Sequence, residues 1–366
     1  MSGQPVDIAK QTSTYRRRQP EGSLLYRIVR DYREILYEEM SRDGKGLPEH
    51  VCEEFEAYLR CGILDFGCLR RSCLKCGFDH FVAFSCKKRG FCPSCISKRM
   101  TAVAAHLVDN VIPSEASRQW VFTLPIYLRY LVANNRKLQA KIHRIVVKEI
   151  SRYYTNKYRG KAQAGSITFI QYFGSALNLA PHFHILFLDG AYIENSRQKV
   201  VFIKEKSSPS PKKMESIMAK ICSKIFSHLR KRGIISCDDE WIDLPEDLHA
   251  EDNPLYAAVQ KASAMGYIGI GTNQGQRIRK IGKSMGWEGE PSFFKSPLYL
   301  YQNGFTLHAE RSLKAGQRRE LENLLRYMAR PPLCEERMRQ LENGDIELTL
   351  KRPFSDGTRA IKYTPL

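Results

Sequence analysis

The sequence lacks the signals of a membrane or secreted protein. No stretch approaches about 18 consecutive apolar residues, so there is no candidate transmembrane helix. The first residues lack the basic-then-apolar order of a signal peptide. There is also no internal repeat of about 20–50 residues, which argues against a solenoid. We therefore expect a protein of the reducing cytoplasm with no membrane partner, whose cysteines are thiols or metal ligands rather than disulfides.

Acidic residues are few relative to basic ones. The 366 residues include 39 Asp and Glu against 58 Lys and Arg, which gives a formal net charge of +19. Hydrophobic residues make up 43% of the chain, which excludes a disordered or collagen-like protein. A cationic surplus of this size favours a polyanionic partner, either nucleic acid or an anionic membrane surface. The length fits two or three domains with a buried core.

Hydrophobic periodicity predicts an α/β (α+β) chain. Helices are predicted over 23–40, 48–60, 97–112, 127–156, 212–232 and 316–329. Strands are predicted over 119–125, 166–173 and 182–188, with a strand pair over 298–309 and a hairpin over 346–363. We expect a flexible basic arm over 1–20, a helical module over 21–112, and an antiparallel sheet with flanking helices over 113–366.

The cysteines are concentrated in one segment. Eight of the 11 lie between Cys52 and Cys95. Within it, Cys73-x2-Cys76 and Cys92-x2-Cys95 are separated by 15 residues. Each pair can turn two thiolates toward one metal, and two pairs complete a tetrahedral zinc site. Because all four ligands come from protein, the zinc (Zn) is expected to be structural rather than catalytic.

Further cysteines in the segment leave two interpretations open. Cys61, Cys68, His80 and Cys86 allow a second zinc ion, with Cys61 and Cys86 as possible additional ligands, or they are packing residues. Basic residues surround the cluster, including Arg89. A zinc module with a cationic rim is most simply a nucleic-acid-binding module.

The strand over 182–188 begins with a pair of histidines. In a strand, alternate residues point to the same face, so His182 and His184 project together while Phe183 points to the opposite, apolar side. Two neutral imidazoles can hold a divalent cation and leave coordination positions open for a phosphate oxygen. Such spacing also occurs among packed or solvated histidines, but the apolar residues that follow favour a central strand whose end lines a pocket.

The helix over 316–329 offers a candidate nucleophile. Tyr327 lies roughly 110° from the centre of the apolar stripe on that helix. Arg326 and Arg330 stand nearby, where they can attract phosphate. The alternative is a tyrosine that packs at the edge of the core. Rival candidates on the earlier helix are Tyr153, Tyr154 and Tyr158.

Five stretches together resemble a known family. They are residues 85–95, 120–125, 178–190, 304–309 and 326–332. These stretches are similar to the rolling-circle transposases of bacterial insertion sequences, the insertion sequence 91 type. That family belongs to the wider HUH endonucleases, named for histidine, a hydrophobic residue and histidine. The resemblance extends from about residue 22 to the end of the chain.

The resemblance implies a set of residue roles. His182 and His184 would hold a magnesium (Mg) or manganese (Mn) ion, and Tyr327 would attack single-stranded DNA to form a covalent 5′-phosphotyrosine. Some family members carry a second tyrosine four residues earlier, where this chain has Asn323, so it resembles the single-tyrosine branch. The motif does not fix the third metal ligand. Its candidates are Gln171, Asn178 and Glu322.

The sequence thus predicts a transposase that nicks and transfers single-stranded DNA at element ends into target DNA, with Arg89, Arg326 and Arg330 contacting the DNA. We expect it at the nucleoid, and the sequence carries no signal for its oligomeric state. Family members continue beyond the position of Leu366, so a C-terminal truncation is expected. The alternatives are a plasmid replication initiator or relaxase with the same chemistry, and a non-catalytic zinc-dependent DNA-binding regulator.

Overall fold

The computed structural model describes residues 19–88, 90–158, 162–195, 197–235, 248–282, 296–354 and 356–366. Nearly all of the predicted basic arm lies outside these residues, and so does Arg89. None of the helices in the described ranges is long and apolar enough to cross a lipid bilayer.

The described residues form nine α-helices, and every predicted helical segment except 127–156 corresponds to one of them. They are α1 (Leu24–Met40), α2 (Glu49–Arg60), α3 (Pro93–His106), α4 (Ile126–Asn134), α5 (Arg136–Thr155), α6 (Pro211–Lys231), α7 (Leu248–Asp252), α8 (Pro254–Met265) and α9 (Arg318–Met328). A π-helical turn over Leu107–Val111 extends α3. The single helix predicted over 127–156 is wrong. Asn135 leaves the helical conformation there, and its side chain accepts a hydrogen bond from the backbone N–H of Leu138 to cap α5.

The strands pair in antiparallel fashion throughout the described residues. They are β1 (Cys68–Ser72), β2 (Asp79–Ala83), β3 (Ser117–Thr123), β4 (Ala162–Gln163), β5 (Ser166–Phe173), β6 (Leu179–Leu188), β7 (Gly190–Glu194), β8 (Val200–Lys204), β9 (Arg279–Ile281), β10 (Tyr299–Gln302), β11 (Phe305–His308), β12 (Ser312–Leu313), β13 (Met338–Gln340), β14 (Ile346–Thr349) and β15 (Ala360–Tyr363). The central sheet has the order β10-β11-β3-β6-β5, with β12 also paired to β3. This mixture of helices and antiparallel sheets confirms the predicted fold class.

One face of the central sheet supports the main hydrophobic core. Phe183, Ile185 and Phe187 of β6 are fully buried there, together with Trp120 and Phe122 of β3. Helices α5 and α6 cover this face with their apolar stripes. The predicted orientation of Phe183, away from the two histidines, is confirmed. Burial of each such side chain contributes about 1.5–3 kcal/mol to folding.

The opposite face of the central sheet carries two kinds of side chain along β6, histidines followed by leucines. Leu186 and Leu188, in the second half of the strand, pack beneath α9 and α3. His182 and His184, which precede them along the strand, occupy the same face because side chains alternate along a strand. The apolar contacts therefore fix α9 over the sheet next to the two histidines.

A second sheet of order β13-β14-β15-β9 lies toward the C-terminus. The predicted hairpin over 346–363 is confirmed by the pairing of β14 with β15, and the predicted pair over 298–309 by that of β10 with β11. Near residue 280 the sequence contains a stretch rich in glycine and basic residues. Part of it forms β9 at the edge of this sheet, where Lys280 pairs with Asp356 at 2.8 Å.

Candidate active site and metal centre

Two histidine rings lie side by side on β6. The ring centroids of His182 and His184 are 4.9 Å apart. Nδ1 of His182 is 2.8 Å from the carbonyl oxygen of Ala180, and Nδ1 of His184 is 2.9 Å from the side-chain amide of Gln119 on β3. Nε2 of His184 is buried and has no hydrogen-bond partner among the described residues. Both histidines thus have Nδ1 occupied, and the unpartnered nitrogen of His184 is Nε2.

Both imidazoles are neutral at pH 7. Burial lowers the pKa of His182, and the charges of Arg330 and Arg129 lower it further. Burial, with the neighbouring His182 and Arg330, lowers the pKa of His184 to about 3. A neutral imidazole carries one proton, and the carbonyl of Ala180 holds that of His182 on Nδ1. Nε2 of His182 therefore presents a lone pair, as a metal ligand must.

The amide of Gln119 can set the same tautomer in His184. This side chain is buried on β3, on the face that carries His184. In the structure the amide nitrogen Nε2 of Gln119 faces Nδ1 of His184 at 2.9 Å. Rotation of the amide by 180° presents its oxygen instead, which accepts the imidazole proton and leaves a lone pair on the buried Nε2. The residues present therefore fit a divalent cation, because an orphaned buried nitrogen and a second imidazole with a free lone pair lie on one face.

The end of α9 places Tyr327 against this pair. Its ring centroid is 5.9 Å from that of His184, with the rings nearly perpendicular. Tyr327 is 40% exposed, so a substrate can reach it. The guanidinium of Arg330 lies over its ring, 4.3 Å from the centroid. The helix is fixed in this position because its apolar side, which includes Leu324 and Leu325, is fully buried.

The rival tyrosines lie elsewhere. Tyr154 is fully buried among the residues of the main core, and its hydroxyl donates to Asp189 at 3.1 Å. Burial raises the pKa of Tyr154 well above its usual value. Tyr153 packs against the same core, and burial raises its pKa also. Tyr158 packs there too. These three side chains thus belong to the core on the opposite face of the sheet from the histidines.

Of the three candidate third ligands, Gln171 has the best placement. It lies directly opposite His182 in the pairing of β5 with β6, and its Nε2 donates to the carbonyl oxygen of Met328 at 2.6 Å. That bond directs the amide nitrogen to α9 and leaves the amide oxygen as the atom that can bind a metal ion. Glu322 is instead paired with Arg326 at 2.5 Å.

The remaining candidate, Asn178, belongs to the turn between β5 and β6. That turn is closed by a bond from the N–H of Gly174 to the carbonyl of Asn178, and the Asn178 side chain lies over Gly174. The bond closes the turn before Leu179, which is why β6 begins earlier than the strand predicted over 182–188.

Three arginines surround the cluster. Nε of Arg326 and Nη1 of Arg330 are buried without hydrogen-bond partners in the described part of the chain. Arg129 of α4 is close enough to His182 to lower its pKa. Sequence reasoning missed Arg129 and Gln119. The one available signal was a buried polar residue, Gln119, at the start of an apolar strand, and only the strand register reveals its partner.

Four cysteine sulfurs form a second cluster, in the N-terminal module. Sγ atoms of Cys61, Cys86, Cys92 and Cys95 all lie within 4.8 Å of one another. Three of the sulfur–sulfur separations are 3.4 Å, 3.6 Å and 3.8 Å. Thiolates around a zinc ion at about 2.3 Å would be about 3.8 Å apart, so the cluster fits a tetrahedral zinc site. Hydrogen bonds from the thiols of Cys86 and Cys92 lower the pKa of Cys61 to about 7, which favours the ligating thiolate.

This cluster differs from the first predicted ligand set, and it includes both possible additional ligands, Cys61 and Cys86. Cys92 and Cys95 belong to it, but Cys73 and Cys76 do not, and both are exposed. The reason is the β1–β2 hairpin, which carries Cys73 and Cys76 at its turn, while the end of α2 and the segment after β2 supply Cys61 and Cys86. Residue spacing alone does not reveal that such a hairpin separates the two pairs.

A single helix connects the two clusters. α3 begins at Pro93, between two of the cysteines, and its far end packs through Ala104 and Val108 against α9. The helix that carries Tyr327 therefore rests on a helix that is anchored at the cysteine cluster.

Two family models match the chain. A transposase zinc-binding domain matches residues 29–124, a range that contains all four clustered cysteines. A family described as "Putative transposase" matches residues 165–365, which contain both histidines and α9. Comparisons with curated proteins and with solved structures give no match.

Proposed function

The chain belongs to the insertion sequence 91 type transposase family, and from that premise we propose that it nicks and transfers single-stranded DNA through a covalent bond to Tyr327. The observation that carries the proposal is the position of Tyr327 against His184, whose buried Nε2 has no partner among the described residues. A nucleophile next to a pair of neutral imidazoles is an arrangement suited to phosphoryl transfer at a metal centre.

The cation would be held by Nε2 of His182, Nε2 of His184 and the amide oxygen of Gln171. When bound, Mg²⁺ or Mn²⁺ withdraws charge from a non-bridging oxygen of the scissile phosphate. Ala180 and Gln119 orient the two imidazoles through Nδ1. Such outer partners fix the ring orientation and the tautomer of metal-binding histidines.

The covalent step uses the hydroxyl of Tyr327. Its oxygen attacks the phosphorus, the bond from phosphorus to the 3′ oxygen of the preceding nucleotide breaks, and that oxygen leaves as a 3′-hydroxyl after taking up a proton. The product is a 5′-phosphotyrosine, which conserves the phosphodiester bond energy. Attack by a 3′-hydroxyl of target DNA reverses the step and releases Tyr327. Arg330, stacked on the tyrosine ring, is positioned to neutralise the phosphate.

We assign residues 21–112 to a zinc-binding, DNA-holding domain and residues 113–366 to the catalytic domain, with 1–20 as a basic arm. The zinc is held by Cys61, Cys86, Cys92 and Cys95 in this proposal. Arg89, Arg326 and Arg330 contact DNA phosphates, which supply most of the affinity for single strands. Because the substrate is chromosomal or plasmid DNA, the protein acts at the nucleoid.

The proposal is tested with labelled single-stranded DNA from the flanks of the gene, incubated with and without Mn²⁺ and run on a denaturing gel. We expect a metal-dependent adduct that disappears in Tyr327→Phe. The matched control is Tyr301→Phe, since Tyr301 is an exposed tyrosine on β10, and its adduct should persist. DNA binding without an adduct in the wild type would instead indicate a non-catalytic regulator.

A further inference from the structure

A cavity lies beside the catalytic cluster. It has a volume of about 300 Å³, is open to solvent on one side and is lined by α3, the edge strand β5 and the end of α9. This volume is at the lower limit for pockets that bind small ligands. Gln171 and Arg330 line the cavity and also belong to the catalytic cluster. Whatever occupies it is therefore held immediately next to Tyr327.

The walls of the cavity are mainly apolar. Ile96, Met100 and Val103 of α3 face it, and their spacing of four and three residues places them on one side of that helix. The side chain of Phe169 on β5 lies on the same face of the sheet as His184 and forms the facing wall. An occupant must therefore present an apolar or aromatic surface to both walls.

The charges that line the cavity are all positive. Arg99 and Arg330 contribute guanidinium groups, and no acidic side chain is among the described residues that line it. Nη1 of Arg330 is buried and has no partner in the described residues. These charges exclude a cationic occupant and favour one that combines a flat apolar part with an anionic part.

We propose that this cavity receives one unpaired base of the DNA strand, adjacent to the scissile phosphate, with a neighbouring phosphate on Arg99 or Arg330. This inference rests on the proposed function. A base within a duplex cannot enter a cavity of this kind, whereas a splayed base stacks on apolar side chains and guanidinium planes. The cavity thereby selects single-stranded DNA and fixes which phosphate meets Tyr327.

One wall of this cavity comes from the N-terminal module. The wall formed by α3 starts next to Cys92 and Cys95, so the cysteine cluster fixes the position of Met100 and Val103 relative to β5. The zinc-binding module therefore contributes to the choice of the cleavage position, in addition to holding DNA through its surface charges.

The test measures binding of fluorescently labelled single strands without added Mg²⁺ or Mn²⁺. Short single strands tiled across the DNA flanking the gene identify the tightest binder, and an abasic site is then moved through it. For the wild type we expect one position where the abasic site weakens binding at least about tenfold, because stacking of one base contributes about that much.

Two variants fill the cavity from opposite walls, Met100→Trp from α3 and Phe169→Trp from β5. Each should bind the intact strand and that abasic strand equally. Thr101→Trp is the matched control, because Thr101 is exposed on α3 and does not line the cavity, and it should keep the tenfold difference. Zinc content and the melting temperature show that each variant is folded.

The outcomes separate this inference from the proposed function. If the wild type binds single strands but no abasic position matters, the base-binding cavity is wrong while the proposed function stands. The same holds if both filling variants retain the abasic penalty. If the wild type binds no single strand at all, the proposed function and the cavity are both overturned.

Discussion

The two faces of the strand β6 differ in what their side chains do. On one face, Phe183, Ile185 and Phe187 are buried in the main core under α5 and α6. On the other, His184 is equally buried, yet its Nε2 has no partner in the described residues. Burial on the first face is satisfied by apolar contacts, whereas burial on the second leaves a polar atom that requires an external ligand.

This difference separates stability from chemistry within one strand. We call the side of β6 that carries His182 and His184 the histidine face, and the side that carries Phe183 and Phe187 the aromatic face. A buried polar atom without a partner costs roughly 1–3 kcal/mol, so the histidine face lowers the free energy of unfolding. The aromatic face compensates for that cost. We therefore expect changes on the histidine face to affect the reaction, and changes on the aromatic face to affect the free energy of unfolding.

The largest expected effect follows the removal of an imidazole ligand. His184→Ala should lower the rate of metal-dependent nicking about a thousandfold or more, because a bound cation contributes several kcal/mol to phosphoryl transfer. The rate is measured with the labelled strand under single-turnover conditions. His143→Ala is the control, since His143 lies on α5 and its Nε2 pairs with Thr168. A similar loss of nicking rate in both variants would show that the two faces of β6 do not have separate roles.

The aromatic face should produce the converse result. Phe183→Ala should lower the free energy of unfolding by about 3–5 kcal/mol, because it leaves a cavity in the main core. Urea denaturation measures this loss. The folded fraction should still form the DNA adduct at a rate near that of the wild type. Loss of the adduct from fully folded Phe183→Ala protein would show that the two faces are not independent.

A smaller effect is expected from the residue that orients His184. Gln119→Leu removes the amide beside Nδ1 and should weaken Mn²⁺ binding by about 10–100-fold, as loss of such outer partners typically does. Titration calorimetry measures the affinity. Gln119→Glu keeps an acceptor at the same position and should recover most of it. Equal affinity in Gln119→Leu and the wild type would exclude the positioning role.

The last expected effect, which is small for each pH unit, is a pH dependence of stability without added Mg²⁺ or Mn²⁺. His184 has an ordinary pKa of 6.5 in the unfolded chain and a pKa of about 3 when folded. Below pH 6.5 the unfolded state takes up a proton that the folded state does not, so the free energy of unfolding falls as the pH drops toward 3. The slope should be roughly 1 kcal/mol per pH unit steeper than in His184→Gln. If urea titrations give the same slope of unfolding free energy against pH for the wild type and His184→Gln, the imidazole of His184 is not buried and neutral.

Local sequence pattern predicted much of this arrangement. Alternation along a strand correctly placed Phe183 opposite the two histidines, and helical spacing placed Tyr327 off the apolar side of α9. Both inferences need only the geometry of one element. The break at Asn135 was not predicted, because a single capping residue interrupts an otherwise continuous helical pattern.

The features that were not predicted depend on contacts between distant segments. Gln119 meets His184 only through the register of β3 with β6. Cys61 approaches Cys95 only because the β1–β2 hairpin projects the intervening residues away. Sequence spacing does not contain these distances, so it does not show that Cys61 and Cys86, rather than Cys73 and Cys76, lie beside Cys92 and Cys95.

The most direct test of Tyr327 as the nucleophile is to locate the covalent bond between the protein and the DNA. The adduct formed with single-stranded DNA and Mn²⁺ is digested with protease and nuclease, and mass spectrometry identifies the peptide that carries the nucleotide. We predict a 5′-phosphonucleotide on Tyr327, because this side chain lies next to His184. A nucleotide on Tyr153, Tyr154 or Tyr158 would contradict it, because those side chains belong to the core on the opposite face of the sheet.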